Sequence, residues 1–167
     1  MAEGPGPGGC KPPLAPGEAG ADERWVREAV ELSRRCPPSA TAFSVGAILV
    51  SQSGAVISAG FSRERDPKDH AEEVALARAA DSGRPGLAAA TIYSSLEPCR
   101  GRVSRPRPCA ELIVAAGIRR VVVAWLEPPL FMPGGGAAWL RGQGVTVIEV
   151  PEAAAAARAV NAHLFPA

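Results

Sequence analysis

Three short stretches hold residues able to bind a metal and move protons: His70-Ala71-Glu72, Pro98-Cys99 and Pro108-Cys109. One imidazole and two thiolates make three ligands of a tetrahedral zinc site. A structural site adds a fourth protein ligand, whereas a catalytic one leaves that place to water. The remaining candidates for a fourth ligand are poorly placed. His163 falls in the last predicted helix, Cys10 in an N-terminal tail, and Cys36 at the exit of a different helix. The set therefore reads as an open centre. Glu72, two residues beyond His70, points to a different side of a helix. It is better placed to face a bound water than to ligate, and a carboxylate there could carry protons in a hydrolysis. Two other readings stand beside this one: a Cys99–Cys109 disulfide, and the same metal as a staple in a non-catalytic binding module. An intact Glu72 favours the enzyme, because a structural site has no use for that carboxylate.

Such a cluster must be assembled by the elements around it. Residues 1–21 are Gly, Pro and small side chains with little to bury, which predicts a disordered tail ahead of one domain over 22–167. Asp22 offers an N-cap for a first helix in which Trp25, Ala29, Val30 and Leu32 recur at helical spacing until Pro37-Pro38. Val45–Val50 and Ala55–Ala59 flank the turn composition Ser51-Gln52-Ser53-Gly54, hence a hairpin. A second helix runs from His70 to Ala80, and a third strand covers Thr91–Leu96. A third helix spans Ala110–Ala116, closed by Gly117, before a buried strand over Arg119–Trp125. A short helix over Gly134–Arg141, a strand over Val145–Val150 and an Ala-rich helix over Glu152–Ala162 complete the chain. Alternating strands and helices predict an α/β fold. The expected form is a three-layer α/β/α sandwich around a central, mostly parallel five-stranded sheet. In such sheets reactive groups gather at the carboxyl ends of strands and at the N-termini of the helices that follow, where all three stretches fall. Helix-end amides there also favour the thiolate that a metal requires.

Composition excludes some functions and permits this one. At 167 residues and a formal net charge of +1, nothing global favours a polyanion or an acidic membrane. No apolar run approaches the roughly 20 residues of a bilayer span, and no secretory signal opens the chain. A cytoplasmic protein with reduced thiols is expected. Basic and aromatic residues do not interleave into a nucleic-acid track, which argues against RNA or single-stranded DNA as substrate.

His70-Ala71-Glu72, Leu96-Glu97-Pro98-Cys99 and Pro108-Cys109-Ala110 followed by an apolar helix resemble the cytidine deaminase superfamily, over roughly Trp25 to Val150. The resemblance implies a zinc hydrolase in which His70, Cys99 and Cys109 hold one zinc and Glu72 is the general acid/base. The substrate would be an amino-heterocycle, and the protein a homodimer or homotetramer. The long Arg- and Pro-containing stretch between the cysteines, with Ala115-Ala116-Gly117-Ile118-Arg119-Arg120-Val121-Val122 after it, is similar to the riboflavin-pathway pyrimidine deaminases, which act on a ribosylaminopyrimidinone phosphate. Arg100, Arg102, Arg105 and Arg107 could grip a phosphate. The expected substrate contacts are Phe43, Ser44, Ala71, Arg100 and Arg105, and the candidates for ring stacking are Phe43, Phe61, Trp125, Phe131 and Trp139. Departures are visible too. Ala42-Phe43-Ser44 stands where the family usually has an asparagine, helix two lacks a second histidine, and no reductase domain follows. A base, a nucleoside or a specialised metabolite is therefore an alternative substrate.

Overall fold

The computed structural model describes residues 14–83 and 86–166. Ten principal elements follow in chain order: α1 (Ala21–Ser33), β1 (Gly46–Val50), β2 (Val56–Phe61), α2 (Ala71–Asp81), β3 (Thr91–Ser94), α3 (Cys109–Ala115), β4 (Arg120–Val123), α4 (Gly136–Gly142), β5 (Thr146–Glu149) and α5 (Ala154–Val160). The strands form one sheet in the order β2-β1-β3-β4-β5. β1 pairs antiparallel with both β2 and β3, while β3–β4 and β4–β5 are parallel. Four of the five strands thus share one direction and β1 alone is reversed, because the five residues between Val50 and Val56 close a hairpin too tight for a crossover.

Strand periodicity sends alternate side chains to opposite faces, and both faces are covered. Along β4, Val121 and Val123 join a core of Leu76, Ile113 and Leu140 supplied by α2, α3 and α4. Val122 joins the opposite core, with Trp25, Val26 and Val30 of α1 and Ala157 of α5. The result is the expected three-layer sandwich. Close approach of α2 to the sheet depends on Gly60 of β2, where a Cβ would stand 2.6 Å from Val74 Cβ and 2.8 Å from the Ala71 carbonyl oxygen. The absent side chain lets α2 settle with its first turn, and hence His70 and Glu72, over the sheet.

Two expectations near the N-terminus change. Gly20, in the left-handed conformation, is the residue that precedes α1, and Asp22 does not cap it. Asp22 instead forms a two-pronged ion pair with Arg120 (2.9 and 2.7 Å) and accepts from Tyr93 Oη (3.0 Å), which ties α1 to β3 and β4. The part of the expected tail after residue 13 is also engaged: Trp25 Nε1 donates to the Leu14 carbonyl (2.9 Å), and Leu14 packs against the α1 side of the core. Residues 1–13 lie outside the described structure. Among the described residues no helix is long and apolar enough to cross a membrane.

Candidate active site

His70 occupies the N-cap position of α2 with extended backbone, and its N–H donates to the Glu73 carboxylate (3.4 Å) in a capping-box arrangement. Cys99 lies in the loop beyond β3, and Cys109 is the first residue of α3. The Cys109 N–H donates to Cys99 Sγ (3.3 Å), so a free amide at a helix start stabilises a thiolate, as expected from the element order. The Cys109 thiol also donates to Cys99. Against the opposing effect of burial, and with help from His70, this holds Cys99 down to about 4. One metal-ready thiolate is therefore built into the cluster.

His70 Nδ1 lies 3.5 Å from Cys99 Sγ and 3.5 Å from Cys109 Sγ, and the three ligand atoms fall within 4.8 Å of one another. Ideal Zn–S and Zn–N bonds in a tetrahedron place N and S about 3.6 Å apart. The donor set thus fits one zinc ion in both chemistry and spacing. Cys36 is remote from it, bonded to the Val45 carbonyl (3.4 Å), and His163 Nε2 pairs with the Ser39 carbonyl (2.8 Å). Cys10 lies outside the described residues.

Glu72 is 3% exposed and lines the same cavity as His70 and Cys99. Burial pushes its carboxyl above the usual range, against an opposing hydrogen bond from Ser94 Oγ to Oε1 (2.7 Å). Oε1 is thereby fixed. Ser94 ends β3, so the strand that leads to Cys99 also orients the carboxylate. Sequence reasoning did not single out Ser94, although a hydroxyl at the end of a strand beneath the site was a usable signal.

The cavity measures about 320 Å³, the size range of small-molecule sites. Phe43 lines it as expected, with Phe131 packed on its edge at 5.1 Å between ring centroids. The other expected substrate contacts are held off it. Ser44 is clamped through its backbone by Asn161 (2.7 and 3.1 Å) and through Oγ by Arg63 (3.0 Å). Ala71 is fully buried in an apolar cluster with Phe43, Val45 and Leu96. Arg100 pairs with Glu111 (3.1 Å) and lies 4.6 Å over the Trp139 ring, away from the cavity. Arg105 is shared among Asp66, Asp69 and Glu73 at 3.3–3.4 Å. Arg102 is the arginine of this loop that reaches the cavity wall, with a side chain only 3% exposed and bonded to Glu73, Ser104 and the Lys68 carbonyl. Among the remaining stacking candidates, Trp125 packs edge-on to Phe43 (5.9 Å) behind the cavity wall, and Phe61 lies beneath Arg35.

The segment after β4 is a wall of the site, carrying Phe131 and Met132 to the cavity. Buried Glu97 holds it: Oε2 accepts from the Glu127 N–H (2.8 Å) and Oε1 from the Ala137 N–H (2.7 Å). At Gly136 a side chain would collide with the Pro98 carbonyl, so this end of the segment seats directly on the metal-ligand loop. Glu127 itself lines the cavity. Burial first, then repulsion from Cys99, Glu97 and Glu72, raises its carboxyl to about 7, and its Oε2 is buried without a protein partner. Glu127 is a second site residue that sequence reasoning missed, since a lone glutamate after a strand carries no distinctive pattern.

Residues 20–125 match the model of the cytidine and deoxycytidylate deaminase zinc-binding region. The chain is 38% identical over 128 residues to a diaminohydroxyphosphoribosylamino-pyrimidine deaminase of Schizosaccharomyces pombe, covering 76% of this chain and 31% of that one. It is 31% identical over 124 residues to a protein of that same name from Buchnera aphidicola, covering 74% of this chain and 80% of the relative. A solved structure of a diaminohydroxyphosphoribosylaminopyrimidine deaminase/5-amino-6-(5-phosphoribosylamino)uracil reductase from Thermotoga maritima superposes with a TM-score of 0.69 at 30% identity, covering 83% of this chain and 38% of that chain. The chain thus spans well under half the length of the S. pombe and T. maritima proteins. The metal cluster at the start of α2, the loop after β3 and the start of α3 all lie within the matched region, and the chain belongs to the cytidine and deoxycytidylate deaminase zinc-binding family.

Proposed function

We propose that the protein is a zinc-dependent hydrolytic deaminase of the riboflavin pathway, acting on a phosphorylated ribosylaminopyrimidinone. The observation that carries this reading is the buried carboxylate of Glu72, fixed by Ser94, sharing a cavity with a three-ligand His70–Cys99–Cys109 cluster. The names of the S. pombe and B. aphidicola relatives supply the substrate class.

In this reading His70, Cys99 and Cys109 hold the zinc, which when bound supplies a Lewis acid that activates water near neutral pH. Glu72 Oε2 accepts a proton from the attacking water and passes it to a ring nitrogen. It then takes the proton of the hydroxyl newly bonded to the ring carbon and delivers it to the amine, so the C–N bond breaks, ammonia leaves and a ring carbonyl remains. A carboxyl raised by burial is suited to both halves of that cycle, since it gains and loses a proton nearer to neutrality. Phe43 and Phe131 offer apolar and aromatic surface to a flat ring.

Ala42-Phe43-Ser44 favours one alternative, a related amino-heterocycle such as a base or nucleoside, because the family's ring-holding asparagine has no counterpart there. A reducing, cytoplasmic compartment would keep Cys99 and Cys109 as the thiolates that a metal requires. Exposed Leu126, Leu130, Phe131 and Phe165 support association into a homodimer or homotetramer. The deciding experiment is metal analysis of the purified protein combined with ammonia release from a panel of aminopyrimidines, aminopurines, their nucleosides and their phosphates. About one zinc per chain is the expectation for a site of this donor set, with turnover of one phosphorylated aminopyrimidine. Turnover of a base or nucleoside alone would retain the chemistry and replace the substrate.

A further inference from the structure

The phosphate of the proposed substrate needs a cation, and the arginines between the two cysteines do not provide a free one. Most charged side chains on the cavity wall outside the catalytic cluster are already paired. Arg63 donates to the Pro37 and Phe43 carbonyls and to Ser44 (2.7–3.0 Å). Arg102 is consumed by Glu73, Ser104 and the Lys68 carbonyl. Asp69 accepts from the backbone of Arg65 and Asp66 and pairs with Arg105. Glu97 accepts from two backbone amides. Two groups remain without a partner among the described residues: Glu127 Oε2 and the Lys68 ammonium.

Lys68 lines the cavity and is exposed, while its main chain is pinned on both sides. Its N–H donates to Asp66 Oδ1 (2.8 Å), and its carbonyl accepts from Arg102 Nη2 (2.6 Å). No carboxylate among the described residues lies within ion-pair distance of its amine, although Asp66, Asp69 and Glu73 all stand in the neighbourhood. Those three carboxylates are taken by Arg102 and Arg105. The buried arginine thus does structural work that leaves the lysine's charge available. An ammonium on a flexible stem whose backbone is pinned beside a cavity is suited to an anion as a point charge.

We propose that Lys68 is the anion-binding group of the site and receives the phosphate of the substrate, while the heterocycle sits against Glu72 and the metal cluster. This rests on the phosphorylated aminopyrimidine reading above. The arginines of the loop between Cys99 and Cys109 then act as positioning residues, holding the Lys68 backbone, rather than as the phosphate clamp.

The test uses zinc-loaded wild-type protein with K68A and K68R, each assayed for ammonia release from the phosphorylated ribosylaminopyrimidinone and its phosphate-free counterpart. Loss of one charge-assisted contact raises KM for the phosphorylated compound by about tenfold in K68A. The expected result leaves kcat and the KM of the phosphate-free compound unchanged, with K68R recovering most of the loss. An equal KM change on both compounds, or none on either, overturns the assignment. Titration with ribose 5-phosphate, followed by NMR, keeps this separate from the fate of the proposed activity. If wild-type protein releases no ammonia from the phosphorylated compound, the proposed function fails. Ribose 5-phosphate binding that disappears in K68A then still supports the subsite, whereas wild-type protein that does not bind it, or K68A that binds it equally, overturns it.

Discussion

Glu72 illustrates how much of the site depends on one atom's surroundings. Two residues past a metal ligand on a helix, its side chain is turned from the ligand direction, and the Ser94 hydroxyl then holds Oε1. A carboxamide keeps the shape and can still bond to Ser94, but it cannot take a proton. Glu72→Gln is therefore expected to lower ammonia release by about 100-fold or more while zinc content stays at the wild-type level. A rate that survived the substitution, measured with zinc quantified in the same sample, would remove Glu72 from the proton path. Position in the chain identified Glu72, His70, Cys99 and Cys109, because all four have uncommon chemistry at a recognisable spacing. It could not identify Ser94 or Glu127. Serines and glutamates are common, and what marks these two is a neighbour distant in sequence.

At the scale of elements, the joints between α1, β3 and β4 determine whether the sheet and its covering helix stay in register. Asp22 sits at that joint. Burial pushes its carboxyl up, but donation from Arg120 and Tyr93 outweighs burial and leaves the group below its ordinary value of 3.8. A carboxyl depressed in the folded state contributes stability that is fully present above its unfolded value and lost as pH falls through the folded one. Asp22→Asn is thus expected to cost about 1 kcal/mol near neutrality, a modest figure because the pair is partly exposed. The cost should shrink as pH falls through the depressed folded-state value, where the wild-type carboxylate is itself protonated. Urea unfolding of both proteins across that range measures it, and a difference that persists at low pH would assign the effect to packing instead. The sequence pointed to Asp22 as a helix cap, a local role. The actual partners, at positions 93 and 120, lie beyond any local pattern.

Across the whole molecule, the cluster links three elements that are far apart in the chain: the start of α2, the loop after β3 and the start of α3. A metal bound there acts as a cross-link, since it binds the folded arrangement and not the scattered ligands of the unfolded chain. Chelation is expected to remove about 3 kcal/mol of linked stability and to lower the melting temperature by roughly 6–12 °C. It should also make Cys99 and Cys109 reactive toward a thiol reagent. Calorimetry and thiol titration, each with and without chelator, read the two effects. An unchanged melting temperature with thiols newly exposed would mean that the fold holds the cluster without help from the ion.

The chain's pattern alone determined the sandwich, the five strands, the His70–Cys99–Cys109 cluster and the placing of Glu72 beside it. These follow from periodicity, from turn residues and from rare side chains at strand ends and helix starts, all of which are local. The tertiary structure decided the reversal of β1, the engagement of Leu14, the Asp22–Arg120 joint and the disposition of the arginines. Arg100 and Arg105 were expected at the substrate and are instead paired with carboxylates on other elements, while Lys68, at the cavity, has no ion-pair partner among the described residues. A cation's charge is written in the sequence. Whether that charge is spent depends on which carboxylates folding brings within reach, and here those carboxylates come from another loop and two helices.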